Sequence, residues 1–416
     1  MNQRYFANLI WSWSPPAEDP DSLLKEYVQR CKDIGFDTIR IDIPWDNTEP
    51  SKGSFDFSWT DKRLRLIARE ADMNLVVILN SRDHPEWLGA DRLLMKWADG
   101  SVFRRPMGRR SYGVLSLNSD EVRDATASFY AASVRHIEKE YGDKVVAYSS
   151  AWTPEMESEY FHGTKAFFSP DDDPMNSRYL DHSDFAKSGY KDWLAEHGAL
   201  LEDIPRPEDS DEKFARWCAF REWTLKRMFD TLSAAVADAG APGKYKVQFG
   251  SVWDKMSGRR GSIGFGYSTE SAAWVVVDDS YHYDHCFSAD VLWGTVPDKL
   301  KANEVGGPPK VREELVQFAR ETYQHGLNMF QFANWCGAQG MDWLKEFEPE
   351  IREIARLRDE AETLPRRDDP MTVSVRDLYL SRCDQNALDQ IIKQYRAGSQ
   401  NGTLIWPVTF NFDLQA

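Results

Sequence analysis

No apolar run in this chain approaches the roughly 20 residues that a membrane-crossing helix requires, so a membrane protein is not expected. A surplus of positive charge is also missing, with 51 Lys and Arg against 67 Asp and Glu. The formal net charge is -16, and neutralising nucleic-acid phosphates needs a surplus of Lys and Arg that is missing here. The five cysteines, Cys31, Cys218, Cys286, Cys336 and Cys383, are odd in number and widely scattered, with no CxxC pair. That excludes a disulfide framework or a zinc site as an organising device, and buried free thiols are expected. No Gly-rich phosphate loop precedes a helix, because the stretch 258–266 lacks Walker spacing, and Asp171 to Asp173 lack the spacing of a calcium loop. No cofactor and no metal are therefore expected. The N-terminus has no basic region leading into a sustained apolar stretch, which suits a cytoplasmic chain or one whose export signal has been removed.

What remains is a globular balance, 42% hydrophobic and 28% charged, over 416 residues. Short β-branched or aromatic runs alternate with longer amphipathic stretches, the pattern of a parallel sheet wrapped by helices. The strands are predicted at 6–13, 37–44, 74–79, 144–152, 245–251, 273–283, 300–303 and 328–335. Helices are predicted at 21–34, 59–72, 122–141, 211–239 and 350–362, the first stopped by Gly35. Eight strands in this arrangement predict an α/β fold, a (β/α)8 TIM barrel. A long insertion follows the fourth strand, and a small appendage at 366–416 packs on a barrel formed by residues 1–365.

Chemistry in such barrels sits where strands end, so the residues finishing each run are the informative ones. Here they are Trp13, Arg40, His84, Glu155, Trp253, Tyr281-His282-Tyr283, Glu304 and Trp335. Paired carboxylates at strand ends can cleave a glycosidic bond, one giving a proton while the other attacks or activates water. Flat tryptophan faces stack on sugar C–H surfaces, and Trp45, Trp152, Trp253 and Trp335 fall at or just beyond strand ends. The same sixteen tryptophans would equally serve as core and helix–barrel packing, and His84 and His282 as hydrogen-bonded structural histidines.

Order and motif together resemble the clan A glycoside hydrolases over roughly residues 6–343. Gly35-Phe-Asp-Thr-Ile-Arg40, the stretch Trp45-Asp-Asn-Thr-Glu-Pro50, Gly53-Ser-Phe-Asp-Phe57 with Asp61, and Pro85-Glu-Trp-Leu88 are similar to family 42 and family 35 β-galactosidases. So is the segment 185–227 with Trp193-Leu194 and Phe214-Ala-Arg-Trp217. The resemblance implies a retaining hydrolase in which Glu155 is the acid/base and Glu304 the nucleophile. It further implies Arg40 beneath Glu304, Tyr283 or Tyr281 hydrogen-bonded to it, and Trp335 as an aromatic floor. One departure stands out: Pro154 precedes Glu155 where the clan places Asn, which keeps Glu157 open as the acid.

The expected partner is an oligo- or polysaccharide, best a β-galactoside, and homo-oligomer formation is compatible with the resemblance. A β-glycosidase or endo-hydrolase of another polysaccharide is the alternative, anionic if Arg104, Arg105, Arg109, Arg110, Arg259 and Arg260 grip oxyanions rather than solvent. A non-catalytic glycan-binding barrel is the reading from a different class.

Overall fold

In the computed structural model, eight parallel strands close on themselves in the order β1-β2-β3-β6-β7-β8-β9-β10 and back to β1. They are β1 (Tyr5–Ile10), β2 (Thr38–Pro44), β3 (Asn74–Asn80), β6 (Val145–Ala151), β7 (Tyr245–Phe249), β8 (Trp274–Asp278), β9 (Leu300–Val305) and β10 (Met329–Phe332). A hairpin of β4 (Arg104–Met107) and β5 (Arg110–Gly113) interrupts the series, and β11 (Met371–Ser374) pairs in parallel with β12 (Val408–Asn411) near the C-terminus. The structure describes residues 3–10, 20–102, 104–107, 110–153, 156–160, 180–206, 208–253, 257–278, 284–306, 312–333, 337–399 and 404–413. Among the described residues no helix is long and apolar enough to cross a membrane.

Side chains alternate across a strand, so each barrel strand feeds two environments. On β2, Ile39, Ile41 and Ile43 join the large apolar cluster shared with the surrounding helices, while Arg40 and Asp42 between them are buried polar residues. The barrel interior starts with an apolar cluster containing Ala7, Val76, Ala147, Trp274, Val276, Ala302 and Met329. Leu9, Ile78 and Ala151 form a further one with Met156 from the loop after β6. The strands that read as nearly continuous apolar runs do so because both faces are covered.

Helices supply the outer ring. Asp120–Tyr141 starts at Ser119, whose side chain accepts a hydrogen bond from the Val122 amide, and it buries Val122, Thr126, Phe129, Tyr130 and Ile137 at helical spacing. Asp211–Asp238 starts in the same way at Ser210, with Lys213 as the donor. The first helix, Pro20–Ile34, ends before Gly35, whose φ of +117° suits glycine. A Cβ there would lie 2.6 Å from the Cβ of Ala355, on the helix Glu348–Glu360, so the glycine also sets how closely that helix approaches.

The C-terminal segment shares this core. Phe410 of β12 packs 5.6 Å from Trp253 and 6.1 Å from Phe265. The Tyr395 hydroxyl donates to Asp290 Oδ2 at 2.6 Å, and Asp290 Oδ1 lies 2.6 Å from His325 Nδ1. Another link is the fully buried Glu222, whose Oε1 accepts from the Gly264 amide at 2.7 Å and from the Tyr379 hydroxyl. Burial pushes the Glu222 carboxyl up to about 7, opposed by those hydrogen bonds and by Arg221.

Two stability predictions follow from these contacts. Gly35→Ala meets both a left-handed backbone and Ala355, and should lower unfolding free energy by about 2–4 kcal/mol in urea titrations; a change below about 0.5 kcal/mol would contradict the close approach. For Glu222 the native state binds the proton more tightly than the unfolded chain, so its contribution falls as pH rises from about 4.5 to about 7 and is level above that. Glu222→Gln keeps an oxygen acceptor and removes the titration. It should gain about 2–3 kcal/mol over the wild type at pH 8 relative to pH 4.5, read from Tm or denaturant midpoints across pH.

Candidate active site

Glu304 lies on β9, the seventh barrel strand, with Gln331 of β10 and Asp278 of β8 beside it in register. The strand continues through Val305, so Glu304 sits within its C-terminal end rather than beyond the predicted end at 303. The even-step parity of β9 turns Ala302 into the interior cluster, and Glu304 two residues later points the same way. It is 6% exposed.

Five side chains from four strands form a polar layer there. Glu304 Oε2 accepts from Arg40 Nη1, from Gln248 Nε2 at 3.0 Å and from Gln331 Nε2 at 2.6 Å. Arg40 Nη2 donates to Gln248 Oε1 at 2.9 Å, and Arg40 Nη1 also donates to the Phe332 carbonyl at 3.2 Å. Lys246, fully buried, donates to Gln331 Oε1 at 3.0 Å. Burial and then the neighbouring Arg40 hold the Lys246 ammonium well below the usual lysine range, with Glu304 acting in the opposite direction. All of these hydrogen bonds to the carboxylate fall on Oε2, and among the described residues Oε1 has no hydrogen-bond partner. A carboxylate fixed through one oxygen presents the other in a defined direction, as an attacking group requires.

Beyond β6 the described segments on either side of 154–155 turn back on one another. The Trp152 and Thr153 amides donate to the Glu157 carbonyl at 3.1 and 3.2 Å, the Met156 amide donates to the Thr153 carbonyl, and Met156 takes φ +71°. Glu159 ties the turn to the end of β7, since Oε2 accepts from the Gly250 amide at 3.0 Å and Oε1 lies 3.3 Å from Arg260 Nε. Arg260, partly buried, is thus engaged in an ion pair with the buried Glu159. Glu157 is 8% exposed, and Glu155 lies outside the described residues.

Of the residues singled out in the sequence, Arg40 and Glu304 are brought together. Trp45 is wholly buried, stacked on Phe129 at 5.0 Å with its indole nitrogen donating to Glu49 at 2.7 Å. Trp152 packs near Phe229 and donates to the Glu159 carbonyl at 2.7 Å, and Trp253 lies 4.6 Å from Phe287. For these three tryptophans the structure shows core packing in place of an open aromatic face. His84 Nε2 lies 3.1 Å from the Gly113 carbonyl of the hairpin. Tyr281, His282, Tyr283 and Trp335 fall outside the described residues, as do the side chains of Arg104, Arg105, Arg109 and Arg110.

Sequence reasoning missed Lys246, Gln248 and Gln331, and also Asn80, which donates to Asp42 at 3.2 Å and to Asp83 at 2.9 Å at the ends of β2 and β3. Their signal was present: each is a polar residue on an inward step of an otherwise apolar strand. Among the described residues no cluster of His, Cys, Asp and Glu is arranged to hold a metal ion.

Known proteins show likenesses over parts of the chain and over its fold. The β-galactosidase model of glycoside hydrolase family 42 matches residues 15–197, which include Arg40, Trp45, His84, Trp152 and Glu155 but stop short of Glu304. The β-galactosidase Bga of Halorubrum lacusprofundi is 25% identical over 218 residues, 50% of this chain; the match spans only 30% of that protein's length. The β-galactosidase of the psychrophilic Marinomonas ef1 superposes with a TM-score of 0.70 at 13% identity, covering 98% of this chain and 69% of the other. The catalytic domain of β-amylase from Paenibacillus polymyxa superposes with a TM-score of 0.64 at 13% identity, covering 80% of this chain and 93% of the other. By strand order and structural neighbours the chain is a (β/α)8 barrel, and over residues 15–197 it is similar to the family 42 β-galactosidases.

Proposed function

We propose that this protein is a retaining glycoside hydrolase acting on β-galactosides, with Glu304 as nucleophile and Glu155 as general acid/base. The observation that carries the reading is the Glu304 carboxylate, gripped through Oε2 by Arg40, Gln248 and Gln331 at the C-terminal end of the seventh barrel strand, with Oε1 open among the described residues. The family 42 match over residues 15–197 supports both the substrate class and the place of Glu155 after the fourth barrel strand.

In the first step Oε1 attacks the anomeric carbon from the α face while Glu155 protonates the departing glycosidic oxygen, giving an α-linked glycosyl ester. Arg40 and the two amides keep Oε2 in place as the carboxylate charge is consumed. With that charge gone Glu155 serves as base, drawing a proton from the incoming water, which attacks from the β face and restores Glu304. Two inversions leave the configuration retained. This geometry requires carboxyl groups about 5–5.5 Å apart.

Azide separates the two roles. On an aryl β-galactoside, Glu304→Ala should lose about four orders of magnitude in kcat/KM, and added azide should yield the α-galactosyl azide. Glu155→Ala with azide should yield the β-azide. The reverse pattern would exchange the roles, and β-azide from Glu157→Ala in place of Glu155→Ala would move the acid to Glu157. Sugar binding without turnover on any aryl glycoside would show a binding barrel.

A further inference from the structure

Lys246 has no part in the steps above. It is wholly buried on β7, with its amine on Gln331 Oε1 at 3.0 Å. A primary amide has two ends of nearly equal size and opposite polarity, so its orientation is set by what faces each end. Gln331 places its oxygen against Lys246 and its nitrogen against Glu304 Oε2 at 2.6 Å. Turned over, it would set an oxygen against a carboxylate and an NH2 against an amine. Gln248 repeats the device: its oxygen accepts from Arg40 Nη2 at 2.9 Å, and its nitrogen donates to the same Oε2 at 3.0 Å.

We propose that Lys246 is a positioning residue for Glu304, locking the Gln331 amide in the orientation that donates to the carboxylate. The proposal rests on the reading of Glu304 as nucleophile. The Lys246 amine donates to the Gln331 oxygen in either protonation state, and as the ammonium, with no lone pair, it admits only that orientation. Without it the Gln331 oxygen loses its donor, and the amide is held through its nitrogen alone, on Glu304 Oε2 and on Gln248 Oε1 at 3.2 Å, which loosens its grip on the carboxylate. Among the described residues, the charged and titratable groups these contacts place beside Glu304 are Arg40 on β2, Lys246 on β7 and Asp278 on β8. Of these only Lys246 reaches the carboxylate through Gln331.

Lys246→Met and Gln331→Met break the same link from opposite sides. Each should lower kcat about tenfold with KM within about twofold, and should move the acid limb of kcat/KM upward by about one pH unit, since a donor to the charged carboxylate has been removed. The alkaline limb, set by the acid/base group, should stay. The double variant should be no worse than the poorer single one, because the two act as one unit. A lysine that only fills space would lower Tm and leave the acid limb where it was. Wild-type kcat and acid limb in Lys246→Met, or in Gln331→Met should Lys246→Met not fold, would overturn the proposal, as would fully additive losses. A wild type that turns over no glycoside would instead remove the reading of Glu304 itself, and this inference with it.

Discussion

The structure turns on one buried pair of charges, Arg40 on β2 and Glu304 on β9, meeting across the interior of the closed barrel. Removing an ionised carboxylate and a guanidinium from water is strongly unfavourable unless each finds its counter-charge and its remaining hydrogen-bonding groups are met. Arg40 here reaches Glu304, Gln248 and the Phe332 carbonyl, and Glu304 Oε2 receives three donors. The surrounding polar layer offsets much of that cost, although Arg40 Nε has no partner among the described residues. Such an arrangement contributes little net stability compared with a well-packed apolar core; its use is to hold one carboxylate oxygen still.

That demand explains the division of the barrel interior. The apolar clusters around Ala7, Val76 and Ala302, and around Leu9, Ile78 and Ala151, supply packing, while Arg40, Lys246, Gln248, Glu304 and Gln331 are reserved for polarity. Folding energy comes mainly from the outer faces, where Ile39, Ile41, Ile43, Leu75 and Val77 meet the helices. The C-terminal segment adds Phe410, Tyr395 and Tyr379 to the same shell, the last two through buried carboxylates at Asp290 and Glu222. Rigidity around the ring and precision inside it come from different sets of residues on the same strands.

Much of this was legible in the sequence because alternating apolar runs and helical spacing are local signals. The order of eight strands, the helices at Asp120–Tyr141 and Asp211–Asp238, and the meeting of Arg40 with Glu304 were all foreshadowed. The side-chain direction at strand ends was less legible. Arg40 faces inward, so Asp42 and Pro44 share its parity and Trp45 turns out toward Phe129; Trp152 follows the inward Ala151 and turns out likewise. Proximity to a strand end therefore suggested a sugar contact that parity directs elsewhere. The helix His285–Thr295 left no periodic trace because it is buried on nearly every side, from Phe287 to Leu292. The hairpin of β4 and β5, rich in arginine, carried no apolar alternation to mark it. Lys246, Gln248 and Gln331 were overlooked because single polar residues in apolar strands matter only once the inward register is known.

The central claim is that Glu304 forms a covalent bond to the sugar. Incubating the protein with an activated 2-deoxy-2-fluoro-β-galactoside, then digesting it and mapping the label by mass spectrometry, tests this directly. The account predicts time-dependent inactivation with one fluorosugar per chain, on the peptide containing Glu304. Label on any other carboxylate, or inactivation without a covalent adduct, would contradict it.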